Sequence, residues 1–253
     1  MAGTHFQQLI YTKRGPVAEV LLNRPDALNA LSIQLYTELG NAVGKADTDR
    51  EVRVVVITGA GRAFSTGGDL KEGDTVNRDA PQRFAKASHR MLKQILSTEK
   101  IVVAKVNGIT QAGGLLIVAA SDLAIASDRA TFKCPEAQVG LWEPYSPALL
   151  APQIGIKRTK QLLLTSGKIT AHEAERIGLI NWAVPHDELD TATAGLVQEI
   201  LAGGPKTLGR FKRMLNEQIG KFDTRAVIEA LSSDEGREGM AAFVEKRKPR
   251  WQM

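Results

Sequence analysis

The sequence predicts an α/β fold followed by a helical C-terminal part. Three observations carry that expectation. Short β-branched, apolar runs recur through the first half, each bounded by turn residues. Stretches with helical spacing of apolar residues lie between them. After about residue 155 the pattern changes to helical segments punctuated by Gly and Pro.

Taken in order, the strands fall at Val17–Leu22, Val52–Thr58 and Ile101–Val106, the last ending at Asn107-Gly108. Two shorter ones are expected at Asp122–Ala126 and Thr131–Lys133. Helical patterns cover Ser32–Lys45, Pro81–Leu96 and Gly114–Ala120, with Ser32 placed to cap the first. Thr170-Ala-His-Glu173 fits a capping box, with Glu173 reaching back to its cap. A last strand is expected at Asn181–Val184, before Pro185. Helices then follow near Asp187–Ala202, Pro205–Gln218, Thr224–Ser232 and Glu235–Lys246, separated by Gly203-Gly204-Pro205 and Gly220. No internal repeat or low-complexity linker interrupts them. The expected division is a core over 1–195 and a helical region over 196–253.

A chain of 253 residues is long enough for one sizeable core, and 43% hydrophobic with 24% charged residues excludes disorder. The single cysteine, Cys134, excludes a disulfide framework and a Cys-based zinc site, and fits a reduced, cytoplasmic setting. Met1–Thr12 has no signal-peptide core. No apolar run approaches the roughly 20 residues that span a bilayer, because Ser121 and Asp122 break the longest candidate. The net charge of +5 raises the question of nucleic acid. Most Lys and Arg are scattered among acids, so the sequence points away from that partner. The one dense cluster, Glu245–Trp251, is a solvated end or a contact for a phosphate-bearing ligand.

Several familiar motifs fail on spacing. Thr58–Phe64 has two glycines of a dinucleotide fingerprint, but Phe64 stands at the third position and would block close helix packing. Gly108 and Gly113 have Walker spacing, yet Gly114-Leu115 replaces the required Lys-Ser/Thr. His172-Glu173 starts a zincin pattern whose second ligand position is Arg176. There is no Gly-x-Ser-x-Gly elbow. His5, His89, His172 and His186 show no metal-ligand spacing, so no metal is expected.

Two glycine-rich turns remain, at Gly61–Leu70 (GRAFSTGGDL) and Val106–Leu115 (VNGITQAGGL). Each follows a strand and leads into a helical pattern. Small residues there allow a ligand close to the backbone. The second turn also opens a helix, where free N–H groups and the helix dipole favour negative charge. Two such turns aimed at one point would form an oxyanion hole; the bland alternative is two tight turns. The segment Ala130–Gly140 (ATFKCPEAQVG) adds Glu136 after a short strand. An oxyanion hole and one carboxylate suit proton removal next to a carbonyl and stabilisation of the enolate.

With these segments on the page, the chain resembles the crotonase superfamily, the enoyl-CoA hydratase/isomerase family. Leu22–Leu31 (LNRPDALNAL) looks like its N-terminal signature. Ala63–Leu70 and Asn107–Gly114 look like its two oxyanion segments, and Phe132–Leu141 like its base segment. Leu164–Leu179 resembles a later signature. The resemblance implies a crotonase-like spiral of ββα units, and trimers often paired into hexamers through the C-terminal helical region. It implies an acyl-CoA thioester substrate, a place in fatty acid metabolism, and an isomerase or lyase reaction. The N–H groups of Thr66 and Gly113 match the oxyanion positions. Asp26, Ala27 and Leu28 match the backbone that cradles the CoA nucleotide. Ala63, Ser65, Gly67, Gly68, Asp69, Gly114, Leu116 and Trp142 fall in the substrate-binding segments. Phe243 and Lys246 are placed to touch CoA across a subunit interface, with helix packing the simpler role for Phe243. Coenzyme A is part of the substrate, and no separate cofactor is implied.

One departure bears on the chemistry. Many hydratases of the family use two glutamates on one water; here Leu116 stands at the first place and Glu136 at the second. A single carboxylate suffices to move a double bond from C3 to C2. The pattern therefore resembles the Δ3,Δ2-enoyl-CoA isomerases, with Glu136 as proton shuttle. That role needs an apolar setting, supplied by Val139, Leu141 and Trp142, which lifts the Glu136 pKa towards about 6–7. Glu143 is either a second working acid, which would permit hydration with Glu136, or a surface turn acid before Pro144. A dehalogenase would need a nucleophilic Asp at that position and a His closer than His89. A non-catalytic acyl-CoA- or RNA-binding relative is the alternative of another class.

Overall fold

Three times along the chain a strand of one sheet is followed by a shorter strand of a second sheet and then by a helix. The computed structural model describes residues 6–70, 79–217, 219 and 224–252. It begins with β1 (Leu9–Arg14) and β2 (Val17–Leu22), an antiparallel hairpin, and α1 (Ile33–Thr48). Three like units follow: β3 (Val54–Gly59), β4 (Ala63–Ser65) and α2 (Ala80–Ser97); β5 (Ile101–Val106), β6 (Ile109–Gln111) and α3 (Gly113–Ala120); β7 (Leu123–Ser127), β8 (Thr131–Lys133) and α4 (Tyr145–Thr165). The chain continues through β9 (Ile169–Thr170), α5 (Ala171–Arg176), β10 (Trp182–Val184), α6 (Leu189–Ala202) and α7 (Pro205–Asn216). It closes with α8 (Thr224–Ser232) and α9 (Asp234–Val244).

The first strands of the units form a six-stranded sheet of order β1-β2-β3-β5-β7-β10, parallel beyond the hairpin. The second strands form the sheet β4-β6-β8-β9, parallel except for the last pair. This is the expected spiral. The β-branched runs are continuous rather than alternating because the large sheet is covered on both faces. Val55, Ile57, Val102 and Ala104 face the main core, while Val54, Val56, Val103 and Ile125 pack against Leu189, Leu196 and Val197 of α6.

Ser32 caps α1 as expected, its Oγ accepting from Leu35 N at 2.9 Å. The capping box at Thr170 is half formed. Thr170 Oγ1 accepts from Glu173 N, but the Glu173 carboxylate pairs with Arg176 at 3.3 Å. Four strands and one helix carried no readable signal. β4, β6 and β9 are too short for any periodicity. β1 is an edge strand whose Lys13 and Arg14 obscure the alternation. α4 contains Pro152, and Gly155 at φ 76° and ψ 155° kinks it, so it resembles a loop in sequence. Gln218 and Gly220, expected at the end of α7 and after it, lie outside the described residues.

The C-terminal helices close over the sheet and the third turn. Lys212 of α7 is buried and donates to Asp122 Oδ2 at 2.7 Å and to Lys100 O at 3.0 Å. α9 lies against the turn that follows β8: a Cβ on Gly239 would stand 3.0 Å from Val139 Cα.

Candidate active site

The two glycine-rich turns and the Glu136 segment leave the carboxyl ends of β4, β6 and β8, three neighbouring parallel strands. Sheet order thus brings together groups that are far apart in sequence. The first turn is tied to the segment before α1. Leu31 N donates to Gly67 O at 2.7 Å, and Asp69 N donates to Leu31 O at 3.0 Å. Arg24 adds a part-buried ion pair to Asp69 at 3.1 Å. Asn29 is fully buried: its amide donates to Ala60 O and Ala63 O and its Oδ1 accepts from Arg24 N. Asn107 braces the same turn, accepting from Gly59 N and donating to Gly61 O.

The second turn enters α3 through Ala112, whose φ of 48° and ψ of −124° are strained for a residue with a Cβ. Leu116 N donates to Ala112 O, closing the first helical turn and leaving Gly113 N ahead of it, where helical amides lack an internal acceptor. The turns touch: Gly67 has φ 85°, and a Cβ there would strike Ala112 and stand 2.8 Å from Gly113 N.

At the first turn the expected donor, Thr66, has its amide engaged within the chain. Thr66 N donates to Leu28 O at 3.2 Å. The Gly68 N–H lies between the two bonds to Leu31 and has no partner among the described residues. A strand residue between two paired neighbours directs its own N–H the opposite way.

Glu136 opens a short 3-10 helix, Glu136–Val139, directly after β8. Its Oε2 is buried and has no hydrogen-bond partner among the described residues. Burial pushes its pKa up, the charge of Glu143 adds to this, and the value is about 7. Val139 and Leu141 beside it are half-buried, whereas Trp142 is 43% exposed and does not seal the carboxylate within the single chain.

Glu143 is not a solvated turn acid. Both oxygens are held by the start of α4: Tyr145 N donates to Oε2 at 2.6 Å, and Ser146 N to Oε1 at 3.0 Å and to Oε2 at 3.1 Å. It caps α4 while remaining close enough to influence Glu136. Burial raises its own pKa, opposed by these donors.

The remaining expected residues surround this centre. Asp26 is exposed, and Ala27 and Leu28 are half-buried, at the turn before α1. Ala63 and Ser65 are buried in β4; Ser65 Oγ donates to Asn29 O and accepts from Gly67 N, an internal role. Gly114 packs on Ser65, where a Cβ would stand 2.9 Å from Ser65 Cβ. Leu116 is buried among apolar residues. Phe243 is 57% exposed, so helix packing within the chain is not its role, and Lys246 is exposed with φ 54°. His89 Nδ1 lies 3.4 Å from Tyr145 Oη, His186 Nδ1 lies 3.0 Å from Ser127 Oγ, and His172 is at the surface; His5 is outside the described residues. No cluster of three metal-ligating side chains occurs among the described residues, and no described helix is long and apolar enough to cross a membrane.

Sequence reasoning missed Tyr36 and Phe84, which line the glycine turns. Tyr36 reads as a core position of α1; only its polar tip, in an otherwise apolar helix face, could have singled it out.

This fold and site are those of an enzyme of the crotonase type. The family model for enoyl-CoA hydratase/isomerase matches residues 12–253, and the chain belongs to that family, within the crotonase superfamily. It is 33% identical to the short-chain-enoyl-CoA hydratase of Clostridium acetobutylicum, over 95% of either chain. It is 32% identical to the crotonyl-CoA hydratase of Syntrophomonas wolfei, over 96% of this chain and 97% of that one. Among solved structures, an enoyl-CoA hydratase from Mycobacterium avium subsp. paratuberculosis K-10 superposes with a TM-score of 0.83 at 29% identity, covering 97% and 99% of the two chains. A methylmalonyl-CoA decarboxylase in complex with 2-nitronate-propionyl-CoA superposes with a TM-score of 0.86 at 26% identity, covering 97% and 98%.

Proposed function

We propose that the chain is a Δ3,Δ2-enoyl-CoA isomerase in which Glu136 is the one acid/base. Glu136 removes a proton from C2 of a 3-enoyl thioester. The electron pair moves onto the thioester oxygen, where the N–H groups of Gly113 and Gly68 receive the charge. The protonated Glu136 then returns the proton to C4 as the double bond forms between C2 and C3. The observation that carries this reading is the buried, unpartnered Oε2 of Glu136. A carboxylate set near neutrality can both take and return a proton. The enolate charge is met by backbone dipoles, so the reaction needs no metal or redox cofactor. Trimers or hexamers in the cytoplasm are the setting in which we expect it to work.

An ultraviolet assay tests this. Absorbance rising from 3-enoyl-CoA, through the conjugated 2-enoyl thioester, is the expected result; no change with that substrate would reject the isomerase.

Hydration is the second reading, favoured by the relatives that are named hydratases. It would join Glu136 with Glu143, and absorbance falling from 2-enoyl-CoA would reveal it. The bonds from Tyr145 N and Ser146 N weigh against Glu143 as a mobile acid.

A further inference from the structure

Tyr36 projects from α1 to the glycine turns. A Cβ on Gly113 would stand 2.5 Å from the Tyr36 hydroxyl and 3.0 Å from Leu31 Cδ1. The Tyr36 ring meets Phe84 edge-on, with centroids 5.2 Å apart and planes at 81°. Phe84 in turn reaches the other turn, since a Cβ on Gly68 would stand 2.6 Å from Phe84 Cζ. One aromatic pair therefore rests against both glycines whose N–H groups are free.

The Tyr36 side chain is only 3% exposed, yet its hydroxyl has no hydrogen-bond partner among the described residues. A hydroxyl held in place by its ring contacts and engaged by no described group is available to an acceptor carried by a ligand. Two acceptors are near in principle. Glu143 is already held by the α4 amides. Glu136 Oε2 receives no hydrogen bond, from Tyr36 or from any other described residue. What remains is an acceptor carried by the ligand, beside Gly113. Burial, then the charges of Glu143 and Glu136, hold the phenol well above its ordinary range, so it stays protonated and keeps its O–H to donate.

We propose that the Tyr36 hydroxyl is a third, side-chain hydrogen-bond donor to the thioester oxygen, beside the backbone N–H groups of Gly113 and Gly68. The proposal rests on the enolate reading above, and holds equally for isomerisation and hydration. An enolate oxygen has lone-pair capacity for a third donor, and a donor fixed beforehand by the Phe84 contact needs no reorganisation as charge develops.

The test uses acetoacetyl-CoA, whose enolate absorbs in the ultraviolet. The wild-type protein and Tyr36→Phe are titrated with pH in its presence. The Phe variant keeps the ring and its Phe84 contact, and Tyr36→Met provides a second apolar replacement. The expected result is an enolisation midpoint at least about one pH unit higher in both variants, a tenfold weaker hold on the enolate. Binding of butyryl-CoA and the pH limb set by Glu136 should stay unchanged. Midpoints that coincide with wild type would overturn the role of Tyr36 alone. A moved Glu136 limb with an unmoved midpoint would also overturn it, by assigning Tyr36 to the base. If wild-type protein formed no enolate at any pH, the enolate reading and this proposal would fall together.

Discussion

Glu136 and Glu143 are electrostatic neighbours, and of the two only Glu136 has a buried carboxylate oxygen without a partner among the described residues. Glu143 is anchored by Tyr145 N and Ser146 N, while Glu136 keeps a buried oxygen without a partner. Burial, with the charge of Glu143 added to it, raises the pKa of Glu136 to about 7. The two acids thus divide into one that binds the start of α4 and one that keeps an unpartnered oxygen.

The pH profile follows from that division. Glu136 must be ionised to accept a proton, so kcat/KM should rise about tenfold per pH unit up to about pH 7 and then level off. Initial rates across pH 5–9 check this. A limb near the ordinary carboxylate range would remove Glu136 as the base.

Glu143→Gln should retain an oxygen that caps α4 but remove the negative charge. The acidic limb should then shift below pH 7, with activity at pH 8 largely kept. A Glu143 that worked as an acid would instead lose most activity at every pH. Glu143→Ala removes the cap as well and should cost about 0.5–2 kcal/mol in urea unfolding.

Glu136→Gln should abolish proton transfer while leaving acyl-CoA binding intact. Its effect on stability has the opposite sign to its effect on rate. The folded-state pKa lies above the unfolded one, so the native protein binds the extra proton between about pH 4.5 and 7. Stability therefore falls as pH rises through that window. The variant should be more stable than wild type at pH 8, by on the order of 1–3 kcal/mol, with the gap closing near pH 4. Thermal melts at the two pH values decide it.

The two amides of the first turn can be separated by replacing a peptide bond with an ester. Loss of the N–H at residue 68 should lower kcat by about two orders of magnitude. The same change at Thr66 breaks the bond to Leu28 O and should cost stability of about 1 kcal/mol with far less effect on rate. Equal effects on rate would restore Thr66 as a donor.

Asn29→Ala should destabilise by about 2–4 kcal/mol, because it strips partners from Arg24 N, Ala60 O and Ala63 O in a buried site. It also places Ala at φ 54°, which Asn tolerates better. The rate should fall as the turn carrying Gly68 loosens.

Much of this architecture was legible in advance. Val17–Leu22 and Ile101–Val106 form strands with the expected bounds, and Ser32 caps its helix, because β-branched runs and caps act through near neighbours. β4, β6 and β9 were not, since strands of two or three residues exist only by pairing. The kink at Gly155 hid a 21-residue helical stretch for a related reason: Pro and Gly signal a break locally even where packing carries the helix through. At the site, the ordered segments identified the family and placed Leu116 at the first glutamate position and Glu136 at the second.

Which N–H groups and which carboxylate are free is a different kind of fact. The resemblance placed the donor at Thr66; pairing of the turn with Leu31 engages that amide with Leu28 O and leaves the Gly68 N–H without a partner among the described residues. Glu136 and Glu143 are both acids after a glycine or proline turn, and the start of α4 claims one of them. Tyr36 is a core residue of α1 until Gly113 is folded against its hydroxyl. Residue types and their spacing set the elements, the family and the inventory of chemical groups. Hydrogen bonds are directional and burial depends on neighbours distant in the chain, so the assignment of those groups to structural or chemical work emerged only with the folded chain.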